Sequence, residues 1–254
     1  MTRALAALLL VAVAAGGALA YRTEQAERRE DINRLGDQLS GIKHELTVAK
    51  RERAVLADRV RGVTRRARKA RFARSALAAR VKRSVFTVRV STDEGTGFVA
   101  WVEGGASYVV TANHVVVLAV DQGDFGARVR TGNKIWLGRV VKTDPDNDLA
   151  LIRVSRRIGP PLWQRPEYVP PLVGDQLLLA GSPLGYEGSV SSGVVSRVAD
   201  DEIQTDAAAF PGISGGPAVG EDGKVVGVLV SGEGESLNFA IPINRVCLRL
   251  RRCR

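Results

Sequence analysis

A glycine-rich segment near the C-terminal end of the chain holds a serine in a setting suited to nucleophilic chemistry. Residues 210–217 read Phe-Pro-Gly-Ile-Ser-Gly-Gly-Pro, and the serine is Ser214. Glycines permit a tight turn and let backbone N–H groups approach a substrate carbonyl. The segment predicts a serine nucleophile for acyl transfer, with the N–H groups of Gly212 and Ser214 stabilising the oxyanion.

A serine nucleophile needs a general base, and the chain has only two histidines, His44 and His114. His44 lies in a charged, helical stretch that is typical of a solvated surface. His114 follows an apolar strand at 108–112, where a rigid support can hold an imidazole within reach of solvent. A lone histidine in such a place is more often a core residue, but the Ser214 segment favours the base.

The base needs an acid to orient it, and residues 143–154 offer three aspartates before an apolar strand. Asp144 and Asp146 flank Pro145 and are typical of turn residues that bond their own backbone. Asp148 directly precedes the strand, so its carboxylate is the one expected to point inward and hold the imidazole. The predicted catalytic residues are therefore His114, Asp148 and Ser214.

The order His–Asp–Ser is that of the chymotrypsin type, one of three orders found on unrelated folds. Three motifs, at 111–115, 147–152 and 212–217, resemble those of trypsin-like serine proteases of the HtrA/Deg family. The likeness covers about residues 84–246. Further segments that resemble the family are Gly-Thr-Gly-Phe at 95–98, Gly-Ser-Pro-Leu-Gly at 181–185, Ser-Gly-Val-Val-Ser at 192–196, Gln-Thr-Asp-Ala-Ala at 204–208 and Asn-Phe-Ala-Ile-Pro at 238–242.

The resemblance implies an all-β fold of two six-stranded barrels and a serine endopeptidase that needs no metal or cofactor. Its polypeptide substrate would add as a strand beside Val230, Ser231 and Gly232. The chain departs from the family at Ile213, where the family usually has Asn, and in a short loop at 196–205. We expect no PDZ domain after the barrels.

The strand pattern supports two barrels independently of the motifs. Short apolar or alternating runs separated by turn signals are typical of all-β barrels. We expect a first barrel over 84–154, a linker at 155–173, a second barrel over 174–242 and a closing helix at 243–254. The expected strands are 85–90, 95–102, 107–112, 127–131, 134–142, 149–154, 176–181, 189–198, 202–205, 216–219, 223–230 and 236–241.

The chain begins with a targeting segment, since residues 4–20 are all apolar or Gly. Residues 1–21 therefore indicate either a signal peptide cleaved after Ala20 or an uncleaved membrane anchor. The first predicts a secreted or periplasmic protein and the second a membrane-anchored protease domain outside the cytoplasm. Both place the protease domain beyond a membrane.

Residues 22–83 lack Pro and place apolar side chains at spacings of three and four, with Arg53 at one core position. This pattern predicts a helical coiled-coil stalk that joins copies of the chain into a homo-oligomer. The alternative is a single amphipathic helix lying on the protease domain. The apolar positions are Ile32, Leu35, Leu39, Ile42, Leu46, Ala49, Leu56, Val60 and Val63.

Charge is distributed unevenly along the chain, whose net charge is +10. Residues 61–83 hold ten Lys or Arg and no acid, whereas residues 84–254 hold 17 basic and 19 acidic residues. The basic run could bind anionic lipid, cell-wall polymer or, with few aromatic residues beside it, nucleic acid. A solvated helix face explains it equally.

Two functions remain open from sequence. The first is an exported or membrane-tethered serine endopeptidase. The second is a catalytically inactive trypsin-like fold that binds peptides on a coiled-coil scaffold, an alternative that Ile213 and the short loop keep open. The presence of all three predicted catalytic residues favours the first.

Overall fold

The structure is a computed structural model that describes residues 2–91, 93–163, 168–232 and 236–251. The chain divides into two compact units, Met1–Lys69 and Ala70–Arg254. The first unit is helical, and the second contains the last turns of the same helix followed by twelve β-strands.

The elements follow one another in a simple order. The helices are α1 (Thr2–Lys82), α2 (Val117–Asp121) and α3 (Asn244–Val246), with 3₁₀ turns at Asn113–Val115, Pro145–Asn147 and Pro183–Gly185 and a π-helical turn at Cys247–Arg251. The first six strands are β1 (Val85–Val90), β2 (Asp93–Glu103), β3 (Ala106–Ala112), β4 (Gly126–Thr131), β5 (Lys134–Asp144) and β6 (Leu149–Val154). The second six are β7 (Gln176–Gly181), β8 (Ser189–Val198), β9 (Ile203–Thr205), β10 (Pro217–Gly220), β11 (Val225–Gly232) and β12 (Asn238–Pro242).

Each set of six strands closes into an antiparallel barrel. The order around the first is β1-β2-β3-β6-β5-β4, and around the second it is β10-β11-β12-β9-β8-β7. Both barrels and all twelve strands agree with the sequence prediction, which is confirmed for the fold. Tight turns with glycines at positive φ, such as Gly132 between β4 and β5 and Gly223 between β10 and β11, explain why the turn signals were informative.

Apolar side chains fill both barrels and the space between them. Barrel 1 is built around residues such as Val88 and Ile152, and barrel 2 around Leu179 and Ile203. A third cluster joins side chains of both barrels, including Phe98 of β2 and Val228 of β11. The two barrels therefore share a continuous core.

The last turns of α1 belong to this core. Val81 is fully buried in the shared cluster, and Leu77 and Ala78 pack against it. Arg80 Nη2 donates to the carbonyl oxygen of Gly223 at 2.6 Å, in the turn between β10 and β11. The part of the helix nearest the barrels is thus a structural element of the second unit.

The closing segment packs on the same cluster, because Val246 and Leu250 are both buried there. Cys247 is engaged in a disulfide. Cys253, the other cysteine in the sequence, lies outside the described residues.

In the first unit, the large apolar side chains of α1 that the structure describes are exposed to solvent. Ala49 of the predicted coiled-coil seam is exposed, and the other eight members are between 52% and 67% exposed: Ile32, Leu35, Leu39, Ile42, Leu46, Leu56, Val60 and Val63. The helix is confirmed, and its pairing with other copies stays a prediction. None of the helices contains, within its described residues, an apolar stretch long enough to cross a membrane.

We predict that Val81→Ala lowers the free energy of unfolding of the barrels by about 2 kcal/mol, because it removes two buried carbon atoms and leaves a cavity. Urea denaturation would measure this as a lower midpoint at an unchanged slope. Val55→Ala is the matched control, since Val55 is 55% exposed on the same helix. Equal effects of the two substitutions would show that the end of the helix does not contribute to the core.

Candidate active site

His114 and Asp148 lie at the ends of two paired strands. His114 is in the 3₁₀ turn that follows β3, and Asp148 immediately precedes β6. These strands pair in register up to Ala112 and Leu149, so the residues just beyond the pairing must face each other. The antiparallel sheet therefore positions the predicted base beside the predicted acid.

Two hydrogen bonds join His114 and Asp148, and a third joins Asp148 to the residue before His114. Asp148 Oδ1 accepts from the backbone N–H of His114 at 2.8 Å, and Oδ2 lies 2.6 Å from His114 Nδ1. The carbonyl oxygen of Asp148 accepts from the N–H of Asn113 at 3.0 Å. An ionised carboxylate can only accept, so Nδ1 carries the proton and Nε2 is left as the basic nitrogen of the ring.

Asp148 has a left-handed backbone, with φ +49° and ψ +46°. Such a conformation costs an L-residue roughly 1–2 kcal/mol and persists where surrounding contacts enforce it. Here the conformation lets one residue present its carboxylate and its carbonyl to the turn that carries His114.

The pKa of His114 is raised above its usual 6.5. The hydrogen bond to Asp148 is the largest cause; partial burial acts in the opposite direction, and the negative charges of Asp148 and Asp93 raise the pKa further. The imidazole is 47% exposed, so it remains within reach of solvent and of a substrate.

The other candidate residues lie elsewhere. Asp144 is buried and its carboxylate accepts from Asn147 Nδ2 at 2.7 Å, whereas Asp146 is exposed. His44 is exposed on α1 in the first unit. Of the three aspartates, Asp148 is the one bonded to His114.

The Ser214 segment of barrel 2 lies against barrel 1. The carbonyl oxygen of Ser214 accepts from the N–H of Thr96 at 2.8 Å. Gly215 has φ +87°, and a Cβ there would lie 2.1 Å from the Thr96 oxygen and 2.8 Å from the Ala112 nitrogen. Only a glycine fits this close approach, which brings Ser214 to the end of β3, next to the turn that carries His114.

The peptide planes on both sides of Gly212 are fixed by hydrogen bonds. The Pro211 carbonyl accepts from the N–H of Leu184 at 2.8 Å, and the Gly212 carbonyl accepts from Thr96 Oγ1 at 2.7 Å. In a trans peptide the C=O and N–H groups point in opposite directions. The Gly212 N–H therefore points away from Leu184, and among the described residues neither it nor the Ser214 N–H has an acceptor.

Ile213, the departure from the family pattern, is buried in barrel 2. Its side chain is 5% exposed and lies so close to Gly181 that a Cβ there would be 2.6 Å from Ile213 Cγ1. Its backbone N–H donates to the Phe210 carbonyl at 3.1 Å. Apolar packing in barrel 2 therefore fixes Ile213 within the Ser214 segment.

The predicted substrate-binding residues form the end of β11. Val230 is buried, and for Ser231 the structure describes the backbone only. Phe239 and Asn238 of β12 pair with Ser231 and Gly232 along one edge. β10 begins at Pro217, opposite Val228, so no described strand covers the other edge of Val230–Gly232.

Sequence reasoning missed the polar residues that join the barrels. Thr96 is fully buried; besides its bonds to Ser214 and Gly212, its Oγ1 accepts from the Ser182 N–H at 2.9 Å. Ser182 Oγ accepts from Thr87 Oγ1 at 2.8 Å. A Ser or Thr in a segment expected to be a buried strand needs a hydrogen-bond partner, and this is the signal that could have indicated these residues. Among the described residues, no three His, Cys, Asp or Glu side chains cluster closely enough to hold a metal ion.

Comparison with known proteins shows the family and the fold of this chain. The family described as "Trypsin-like peptidase domain" matches residues 95–228. A "probable periplasmic serine endoprotease DegP-like" of Chlamydia pneumoniae is 39% identical over 163 residues, covering 58% of this chain and 32% of that protein. A protein of the same name from Pseudomonas putida is 36% identical, covering 59% and 32%. The chain thus spans about a third of the length of these curated relatives.

Solved structures show the same fold. The inactive form of the Rv3671c protease, from Mycobacterium tuberculosis, superposes with a TM-score of 0.58 at 25% identity, covering 69% of this chain and 91% of that chain. A serine endoprotease from Yersinia pestis gives a TM-score of 0.60 at 24% identity, covering 69% and 65%, a likeness of fold alone. The family match spans more than half of the chain, and the chain belongs to the family of trypsin-like peptidase domains.

Proposed function

We propose that this protein is a serine endopeptidase of the HtrA/Deg type that cleaves polypeptides through an acyl-enzyme intermediate. The observation that carries the proposal is the doubly hydrogen-bonded pair His114–Asp148, beside a Ser214 segment in which the N–H groups of Gly212 and Ser214 have no acceptor among the described residues. DegP-like relatives, which are named as serine endoproteases, support the same chemistry.

In this mechanism Ser214 Oγ attacks the peptide carbonyl while His114 Nε2 takes its proton. Asp148 holds the imidazole in the tautomer that leaves Nε2 free and stabilises the imidazolium that forms. The N–H groups of Gly212 and Ser214 bind the oxyanion of the tetrahedral intermediate. The imidazolium then protonates the leaving amine. In the second half of the reaction His114 takes a proton from water, which attacks the acyl-enzyme, and returns it to Ser214 Oγ as the acid product leaves.

The substrate lies as an extended strand along the uncovered edge of Val230–Gly232. Main-chain hydrogen bonds to that edge supply affinity that does not depend on the substrate's side chains. The edge continues from the segment of β11 that bonds Gly215, since the Gly215 N–H donates to the Leu229 carbonyl. This continuity supports a substrate carbonyl being brought next to Ser214.

Export from the cytoplasm and self-association through α1 complete the proposal. The relatives are named as periplasmic, and residues 1–21 carry the targeting pattern. The exposed apolar seam of α1 supports the association of copies. Membrane anchoring and binding of an anionic partner by residues 61–83 stay predictions from sequence. All ten cations of that run are exposed, and Arg74 and Arg80 already contact Glu221 and Gly223.

We predict that Ser214→Ala lowers kcat on a peptide substrate by on the order of 10⁶-fold, because the nucleophile is removed. Labelling by a fluorophosphonate probe should disappear in the same variant. Ser155→Ala, at an exposed serine outside the site, is the control and should retain both activities. A folded wild-type protein that is neither labelled nor active would instead support the inactive peptide-binding scaffold.

We predict that kcat/KM rises with pH with a midpoint above 6.5, because only the neutral imidazole accepts a proton and Asp148 raises the pKa of His114. Asp93→Asn should move the midpoint down, since the charge of Asp93 also raises that pKa. A pH–rate profile measures both, with Asp222→Asn as a control at an exposed carboxylate in the β10–β11 turn. An unchanged midpoint in Asp93→Asn would contradict this electrostatic assignment.

We predict that the double variant Leu39→Asp, Leu46→Asp dissociates the oligomer, because it places charge in the apolar seam. Sedimentation equilibrium would give the masses. The matched control is Val48→Asp with Val55→Asp, two exposed apolar residues of the same helix outside the seam. The seam would be rejected as the interface if wild type and both variants had the same mass.

A further inference from the structure

The loop that orients the Gly212 peptide is tied to barrel 1 at two points. This loop, residues 182–188, connects β7 to β8. At its base, the N–H and hydroxyl of Ser182 bond to Thr96 and Thr87. At its far end, both carboxylate oxygens of Glu187 face the β4–β5 hairpin.

The contact at the far end is an ion pair reinforced by a backbone hydrogen bond. Arg130 Nη1 lies 3.1 Å from Glu187 Oε1, and the backbone N–H of Gly132 donates to Oε2. The Glu187 side chain is only 21% exposed, so solvent screens the pair less than it screens an open surface pair. Glu187 comes from barrel 2 and its partners from barrel 1, so the contact spans the two barrels.

Between the two ties the loop is strained. Leu184 has φ +51° and ψ +26°, a left-handed conformation that a leucine adopts only when its surroundings enforce it. Its side chain is also 67% exposed, so packing of the side chain does not explain the conformation. The N–H of the same residue donates to the Pro211 carbonyl at 2.8 Å, so the strained residue is also the one that contacts the Ser214 segment.

The backbone of the loop is also in close contact with Gly212. A Cβ on Gly212 would be 2.8 Å from the Ser182 oxygen and 3.2 Å from the Leu184 nitrogen. A shift of the loop therefore releases the Pro211 carbonyl and allows the Pro211–Gly212 peptide to rotate. That rotation would turn the Gly212 N–H away from the position in which it can bind an oxyanion.

We propose that Glu187 is a positioning residue for catalysis. Its ion pair with Arg130 and its hydrogen bond from the Gly132 N–H hold the strained 182–188 loop to barrel 1, so that Leu184 fixes the Gly212 N–H for the oxyanion. This inference rests on the proposed function and names a residue that does not touch the substrate. The pairing of the two barrels thereby controls the oxyanion-binding peptide.

The test compares Glu187→Ala and Glu187→Gln with the control Glu202→Ala in the full-length protein. Glu202 also forms an ion pair, 2.8 Å from Arg197 Nη1, but across the β8–β9 hairpin within barrel 2. Glu187→Gln keeps an oxygen that accepts from Gly132 and loses the charge that faces Arg130. Thermal unfolding of each variant shows whether it is folded.

The first measurement is hydrogen exchange of the Leu184 amide in the absence of substrate. We expect at least about tenfold faster exchange in Glu187→Ala, because local opening of the loop exposes this amide. The control should match wild type. Exchange unchanged in Glu187→Ala would overturn the proposal whether or not the protein is an active protease.

The second measurement separates kcat from KM. We expect Glu187→Ala to lower kcat by about 10- to 100-fold, less than the ~10²–10³ for complete loss of an oxyanion donor, with KM little changed. Affinity for a peptide aldehyde, which adds to the Ser214 hydroxyl to give a hemiacetal, should fall by the same factor. Glu187→Gln should fall between Glu187→Ala and wild type.

The kinetic outcomes that count against the role of Glu187 differ from those that count against the proposed function. A wild-type kcat in Glu187→Ala, or an equal loss in Glu202→Ala, would overturn the role of Glu187. A wild-type protein without any hydrolysis would overturn the peptidase proposal, while the exchange of the Leu184 amide would still decide whether Glu187 holds the loop.

Discussion

The site depends on one buried threonine that connects two separately closed barrels. Thr96 of barrel 1 bonds the Ser214 carbonyl, the Gly212 carbonyl and the Ser182 N–H, and its own carbonyl accepts from Thr111 Oγ1 at 2.7 Å. Because each barrel satisfies its own strands, no ladder hydrogen bond between the described strands of the two barrels sets their relative position. A buried polar group left without its partner costs about 1–3 kcal/mol. These bonds therefore favour one register of the barrels, and that register is the one in which Ser214 lies beside the end of β3.

On barrel 1, Asp148 likewise makes several hydrogen bonds from a single residue. Asp148 uses its carboxylate for the imidazole and for the His114 backbone N–H, and its carbonyl for Asn113. The side chain that raises the pKa of His114 is thus also the one that fixes the turn carrying it. Electrostatics and geometry cannot be altered independently at this position.

Much of the fold and the polar pair could be predicted because their signals are local. Strands such as β1, β6 and β7 are short apolar runs bounded by turn residues, and the Ser214 segment is marked by glycines that its close packing requires. Histidine is scarce, which made His114 easy to find. The choice of Asp148 among three aspartates relied on its place before a strand, and the structure joins this carboxylate to the imidazole.

The missed features are those whose partners lie far away in sequence. Thr96 and Ser182 are 86 residues apart, and Glu187 is 55 residues from Gly132, so no pattern around any of them reveals the contact. Ile213 was ambiguous for a similar reason, since its environment is supplied by Gly181 of another strand. The burial of Val81 was hidden because its spacing continues that of an exposed helical seam.

The closure of both barrels also bears on solubility. Exposed strand edges are templates for pairing with other chains, and proteins normally protect them because such pairing leads to aggregation. Here each of the twelve described strands pairs with a neighbour on both sides, whereas the Val230–Gly232 part of β11 keeps one edge uncovered by any described strand. The backbone edge that no described strand covers is short and adjoins the Ser214 segment. Under the proposed function, a chain that pairs with this edge would arrive beside the nucleophile rather than where it can start an aggregate.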